Sequence, residues 1–287
     1  MFDLESNGLF EESSAAFIDQ NCYCPEITCG VTYRMTRHAA ARGFEVDDTV
    51  HWHGDLTTGE YMSGKNVVKL VEYMVRQRKA GYVPMGWNSV GFDFKLLYCC
   101  LLQRYDGPDK RQRLTELREL ALCSVDPCFN FFMGRGFPVQ MRRVAAGFNL
   151  PVNKSGDGAE AARMWIEGTK QDRLGIVRYC EQDVVVLTMI VSAIACSGEI
   201  RWLTKSTGKL AKFVPPANFK EMPLISCEKA MRLTPPDNSW MKNKAPMTAS
   251  SIPNASIEPE PPRYTEPPTM TKFTGWLSSC HINSCCV

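Results

Sequence analysis

The sequence predicts an α/β domain with a mixed sheet flanked by helices. Strand-like segments precede and alternate with apolar helical stretches through the first 200 residues, and the last long stretch keeps an unbroken helical period. Past residue 233 proline recurs among Ser, Thr, Asn and Glu without any apolar period, which predicts a disordered or polyproline-like tail. The chain therefore divides into a domain at 1–200, an extension at 201–232 that packs on it, and a Pro-rich tail at 233–287. Within the tail, KFTGWLSSC is the segment suited to docking on a protein partner.

Each element has its own sequence reason. MFDLESNGLF opens as a strand on which Asp3 and Glu5 share a face, because side chains two apart project the same way. TCGVTYRMT (28–36) and TVHWHGDL (49–56) have strand character, and the turn TTGEYMSG separates the second from a helix starting near Lys65. There Val67, Val68, Leu70, Val71 and Met74 make an apolar stripe, and RQRKAG ends it with basic residues and glycine. YVPMGWN (82–88) reads as a core strand, FDFKLLYCCLLQRY (92–105) as a buried helix, DKRQRLTELRELAL as a charged helix and CSVD (123–126) as a strand. From 171 to 197, Leu174, Val177, Val184, Leu187, Val191 and Ile194 recur at spacings of three and four, the mark of one long helix.

Composition narrows function only loosely. With 44% hydrophobic and 22% charged residues and a net charge of +2, the chain neither demands nor excludes nucleic acid, since a local basic groove is invisible in a total. No apolar run approaches the ~20 residues of a membrane span, and the N-terminus lacks the basic-then-apolar order of a leader, so a cytoplasmic location is expected. The thirteen cysteines are scattered and read as small buried thiols of a reducing compartment. A structural zinc on Cys22, Cys24 and Cys29, or on Cys280, His281, Cys285 and Cys286, is the alternative use. His51 and His53 share a strand face and raise a metal-hydrolase alternative, but no third histidine has ligand-like context. RQRK (76–79) and DKRQR (109–113) read as solvated helix faces or as borders of a nucleic-acid groove.

Several acids break the local pattern. Asp3 and Glu5 interrupt a strand, Asp93 lies between Phe92 and Phe94 at the head of an apolar helix, and Asp183 precedes Val-Val-Val in the last helix, one turn after Tyr179. Carboxylates gathered in a partly desolvated place repel one another unless a cation or a donor neutralises them, and oxygen ligands favour Mg²⁺ or Mn²⁺.

In order, FDLESNGL, WNSVGFDF and YCEQDVVVL resemble the three exonuclease motifs of the DEDD superfamily, the 3′–5′ exonucleases of ribonuclease H-like fold that include polymerase proofreading domains. The first supplies Asp3 and Glu5, the second Asn88, Phe92 and Asp93, and the third Tyr179 and Asp183; tyrosine in the third is similar to the DEDDy branch. The run from VDPCFNFF through VAAGFNLPV and MWIEG to RYCEQDV more loosely resembles predicted exonucleases related to the family B polymerase proofreading domain. Only Met1 and Phe2 precede Asp3, where the superfamily has several residues, which implies a short first strand or a start downstream of the true one.

The resemblance implies a ribonuclease H-like sheet and a 3′–5′ exonuclease acting on single-stranded DNA. Asp3, Glu5, Asp93 and Asp183 would hold two divalent cations, Mg²⁺ or Mn²⁺, and Tyr179 would orient the attacking water. Asn88 and Phe92 would touch the substrate strand; read on their own, Asn88 also fits a turn and Phe92 also fits the core. An exoribonuclease keeps the same chemistry, and an idle nuclease fold serving as a binding or scaffold module is the reading of a different class, against which the retained acids and Tyr179 speak.

Overall fold

Alternation at the head of the chain builds β1 (Phe2–Ser6), with Phe2, Leu4 and Ser6 turned inward and Asp3 and Glu5 half-buried on the opposite face. The computed structural model describes residues 1–8, 23–38, 43–150, 158–215 and 224–234. The expected Pro-rich tail beyond 234 lies outside the described residues, as do Cys22, Cys280, His281, Cys285 and Cys286 of the zinc alternative. Rich in β-branched and aromatic residues, β2 (Ile27–His38) runs antiparallel to β1, with Asp3 opposite Val31 and Glu5 opposite Cys29. β3 (Gly43–His53) is antiparallel on the far side of β2, so the sheet has the order β1-β2-β3.

Among the described residues, the sheet continues beyond β1 only as single links. The Phe2 N–H donates to Met85 O at 2.9 Å, Met85 bridges Val125 in parallel, and the Val125 N–H donates to Pro84 O at 2.9 Å. Sequence reading made full strands of 82–88 and 123–126. The structure corrects both: Pro84 has no N–H for a ladder, Asn88 turns the chain with φ of 57°, and helix α3, described next, runs as far as Cys123.

Helices cover both faces of the sheet. α1 (Gly64–Lys79), capped by the Ser63 hydroxyl, α2 (Asp93–Arg104) and α3 (Lys110–Cys123) bury Val67, Leu70, Phe94, Leu97 and Leu117 with Phe2 and Leu4 in one core. Across the other face lies α7 (Lys170–Ser197), started by a capping box between Thr169 and Asp172 and stopped at Gly198 with φ of 72°. Its first half packs Ile176, Val177, Cys180 and Val184 on Cys29 and Val31; its second half packs Val186, Leu187, Ile190 and Ile194 on Met85, Val125 and Val144. By length and composition α7 would suffice to cross a membrane, although here its apolar faces meet protein.

Sequence reading left several short elements unassigned: α4 (Pro127–Arg135), α5 (Met141–Gly147), α6 (Gly158–Glu167), the hairpin β4 (Ile200–Leu203) and β5 (Leu210–Phe213), and α8 (Cys227–Met231). The described residues thus form an α/β protein with two small antiparallel sheets. The hairpin rests on Phe131, whose ring meets Trp202 edge-on at 4.8 Å and Phe213 at 6.1 Å. Within the expected extension, the Asn130 side chain pairs with the Ile225 backbone at 2.9 Å in both directions, and the Cys227 N–H donates to Ser124 O at 2.8 Å.

A buried cation ties α6, α7 and the β3–α1 turn together. The Arg173 guanidinium donates to Trp165 O (2.7 Å), Thr57 O (2.9 Å), Leu56 O (3.2 Å) and Ile166 O (3.3 Å), while Trp165 Nε1 donates to Gly59 O at 2.9 Å. Gly59 has φ of 81°, and a Cβ there would lie 2.5 Å from Arg173 Nη2. Arg173→Met strands buried carbonyls, so equilibrium urea unfolding should report a loss of about 3 kcal/mol or more. A loss below about 0.5 kcal/mol would show that those carbonyls do not depend on it.

Candidate functional site

The strand period places Asp3 and Glu5 on the face that α7 covers, and the helix delivers Asp183 to the same place. Ligand oxygens of Asp3, Glu5 and Asp183 all lie within 4.8 Å of one another, though Glu5 and Asp183 stand 178 positions apart in the chain (183 less 5). Asp183 is buried and the other two are half-buried. Among the described residues this is the one such grouping of three His, Cys, Asp or Glu ligands. Its donors are hard carboxylate oxygens, a set suited to Mg²⁺ or Mn²⁺ rather than to zinc.

Asp93 enters from the side. Its Oδ1 accepts the Leu4 N–H at 2.9 Å, the next outward amide of β1 after the one that binds Met85. A carboxylate thus occupies a position that a neighbouring strand's carbonyl would fill. The side chain is buried, and burial first, then the charge of Asp3, pushes its carboxyl well above the ordinary range. Of the predicted acids, the structure gathers Asp3, Glu5 and Asp183 and holds Asp93 beside them through the backbone between Asp3 and Glu5.

Around the trio, Cys180 Sγ donates to Asp3 O at 3.3 Å and contacts Asp3 Oδ2 at 3.6 Å; burial pushes its thiol up. Tyr179 is half-buried one turn before Asp183 on α7. Asn88 takes the left-handed turn, and a Cβ on Gly91 would lie 2.6 Å from Asn88 Oδ1, so its amide folds over the loop. Phe92 stands at the N-cap of α2 and packs against the core around Phe94. The histidines of the metal-hydrolase alternative stand on β3, in the cross-strand rows of Asp3 and Glu5 but beyond β2 and outside the acidic grouping: His51 Nε2 pairs with Glu181 at 3.3 Å, and His53 Nδ1 meets Gly54 O at 2.7 Å. Glu181 also accepts the Tyr33 hydroxyl at 2.8 Å, and burial, with that carboxylate, raises the phenol's pKa.

Sequence reasoning missed Asp126. CSVD reads as a strand ending at this residue, yet Asp126 is fully buried and caps α4. The signal was present: Asp followed by Pro is a helix-start signature. Its Oδ1 accepts from Asn88 N (2.9 Å) and Phe129 N (3.1 Å), and its Oδ2 from Val90 N (3.1 Å) and Ser89 Oγ (3.5 Å). Burial outweighs these donors and pushes its carboxyl up to about 6.

No family model, curated protein or solved structure matches the chain.

Two stability measurements check the electrostatics. Asp93 and Asp126 bind a proton more tightly folded than unfolded, so folding takes up protons above an ordinary carboxyl pKa, and the contribution of Asp126 to stability falls as pH rises through about 6. The lowered carboxyls of Asp55, Asp109, Asp172 and Glu199 act in the opposite sense in more acid solution, and the buried Met1 amine, pushed down to about 5, acts in the opposite sense between about pH 5 and 8. The carboxyl is therefore read by difference: from pH 5 to 7 the metal-free wild type should lose about 1 kcal/mol relative to Asp126→Asn, in which the Met1 amine is unchanged. Parallel profiles would contradict the assignment. In the same buffer at pH 7, Asp183→Asn should raise stability by about 1 kcal/mol, because it relieves like-charge repulsion within the trio.

Proposed function

We propose that the chain is a metal-dependent 3′–5′ exonuclease that removes nucleotides from single-stranded DNA ends. The observation that carries this reading is the meeting of Asp3 and Glu5 of β1 with Asp183 of α7 within 4.8 Å, beside Asp93. A ribonuclease H-like arrangement is supported by the antiparallel β1-β2-β3 order and by the parallel Met85–Val125 bridge on the other flank of β1. α7 covering the acid-bearing face agrees with it.

Asp3, Glu5 and Asp183 would hold divalent cation, with Asp93, buried beside them at the sheet edge, as the fourth acid that cation binding would ionise. Bound Mg²⁺ or Mn²⁺ supplies activation of water and stabilisation of charge on the leaving 3′ oxygen. The chain's own contribution is placement. β1 and α7 fix the carboxylates, and the Tyr179 hydroxyl positions the attacking water by hydrogen bonding. Asn88, at the bend of the loop leading to Asp93, offers an amide to sugar or phosphate, and Phe92 contributes an apolar edge beneath a base. The same acids serve an RNA end equally well, and only the contacts to the sugar would discriminate.

Incubation of purified protein with 3′- and 5′-labelled single strands of DNA and RNA tests the reading. Expected is stepwise shortening from the 3′ end that needs Mg²⁺ or Mn²⁺ and stops with EDTA. Asp183→Ala should lower the rate at least 10³-fold, and Tyr179→Phe about 10- to 100-fold in kcat. Activity in EDTA, or full activity in Asp183→Ala, would overturn the mechanism; binding of nucleic acid without cleavage would favour the scaffold class.

A further inference from the structure

The Asp126 carboxylate accepts hydrogen bonds both from the start of α4 and from the 88–90 loop, and none of the reading above uses it. Its two oxygens divide the labour. Oδ1 caps α4 through Phe129 N and holds Asn88 N; Oδ2 holds Val90 N and Ser89 Oγ, the half of the loop that runs on to Asp93. Asp93 in turn accepts the Leu4 N–H, between two members of the acidic trio. The path from Asp126 to β1 is therefore short: carboxylate to the 88–90 segment, where Ser89 and Val90 are buried, then the half-buried Gly91 and Phe92, then the buried Asp93 carboxylate to Leu4.

We propose that Asp126 is a positioning residue for the acidic site: by fixing the 88–90 backbone it sets where the Asp93 carboxylate meets β1, and so how Asp3 and Glu5 are presented. Its relevance to catalysis rests on the exonuclease reading; its action on Leu4 does not. A buried carboxylate is a costly anchor for a loop, and a neutral turn would hold the chain at lower expense. What the carboxylate adds is stiffness, because charge-assisted acceptors are the strongest available to backbone amides.

Asp126→Asn separates the roles. The amide oxygen can keep the α4 cap and Asn88, whereas the NH₂ that replaces Oδ2 confronts the Val90 N–H and the Ser89 hydroxyl and releases that half of the loop. Hydrogen exchange followed by NMR should show the Leu4 amide exchanging at least tenfold faster, with the Asp3 amide, which faces β2, changed less than twofold. Mn²⁺ affinity, measured by calorimetry on folded protein, should weaken about tenfold. Arg173→Lys, a destabilising change at the far turn, should move neither the Leu4-to-Asp3 exchange ratio nor the Mn²⁺ affinity. An unchanged ratio in Asp126→Asn overturns the proposal. If Asp126→Asn does not fold, Ser89→Ala, which removes one Oδ2 donor, carries the test with an expected two- to threefold rise in the ratio, and no rise overturns it. A changed ratio in a protein that binds Mn²⁺ but cleaves no nucleic acid leaves the positioning role standing and removes the exonuclease reading.

Discussion

Mutual repulsion among Asp3, Glu5 and Asp183 is what the rest of the structure must offset. At separations within 4.8 Å, with one member buried, like charges cost free energy that the fold has to supply elsewhere. The supply comes from apolar packing on both sides of β1. Phe2 and Leu4 anchor the strand below, with Phe2 edge-on to Phe94 at 5.1 Å, and Ile176, Val177, Cys180 and Val184 press α7 onto β2 above. Each fully buried side chain of this kind contributes about 1.5–3 kcal/mol, so a handful of them outweighs a repulsion of a few kcal/mol. Tyr33 and His51 add polar ties to Glu181 on the same helix.

Where the sequence carried a long period, the fold was readable. The stripe from Val67 to Met74 became α1, and the spacings from Leu174 to Ile194 became α7 within a residue or so of each end. Reading failed where the residue pattern had more than one outcome. YVPMGWN is apolar enough for a strand, but Pro84 cannot donate and the turn at Asn88 ends the run, leaving only a bridge. PCFNFFMGR is apolar on every side because α4 is buried all round, so it shows no period at all.

The candidate site was legible for the opposite reason: its residues violate local pattern. Asp3 and Glu5 on a strand, and Asp183 before a run of valines, made sense only if something outside the segment needed them, and the structure gathers those three. Asp93 was legible as an acid out of place, but its tie to the Leu4 amide depends on a strand edge whose neighbour no local pattern specifies. Asp126 was legible as a helix cap, but its reach beyond the cap was not, because it obeys a local rule. It looks like an ordinary cap and is one; its further bonds to Asn88, Ser89 and Val90 come from chain segments brought together by folding.

The outward edge of β1 also decides what cannot happen to this protein. A strand edge with free amides is a template on which a second chain can add, and a strand bearing the clustered acids would be the worst place for it. Here the Phe2 amide is taken by Met85 O and the Leu4 amide by Asp93, so a visiting strand finds neither donor available and meets a carboxylate instead. One side chain thereby holds the strand that carries the acidic trio and closes its edge, and a substitution that removes it opens that edge to a second strand.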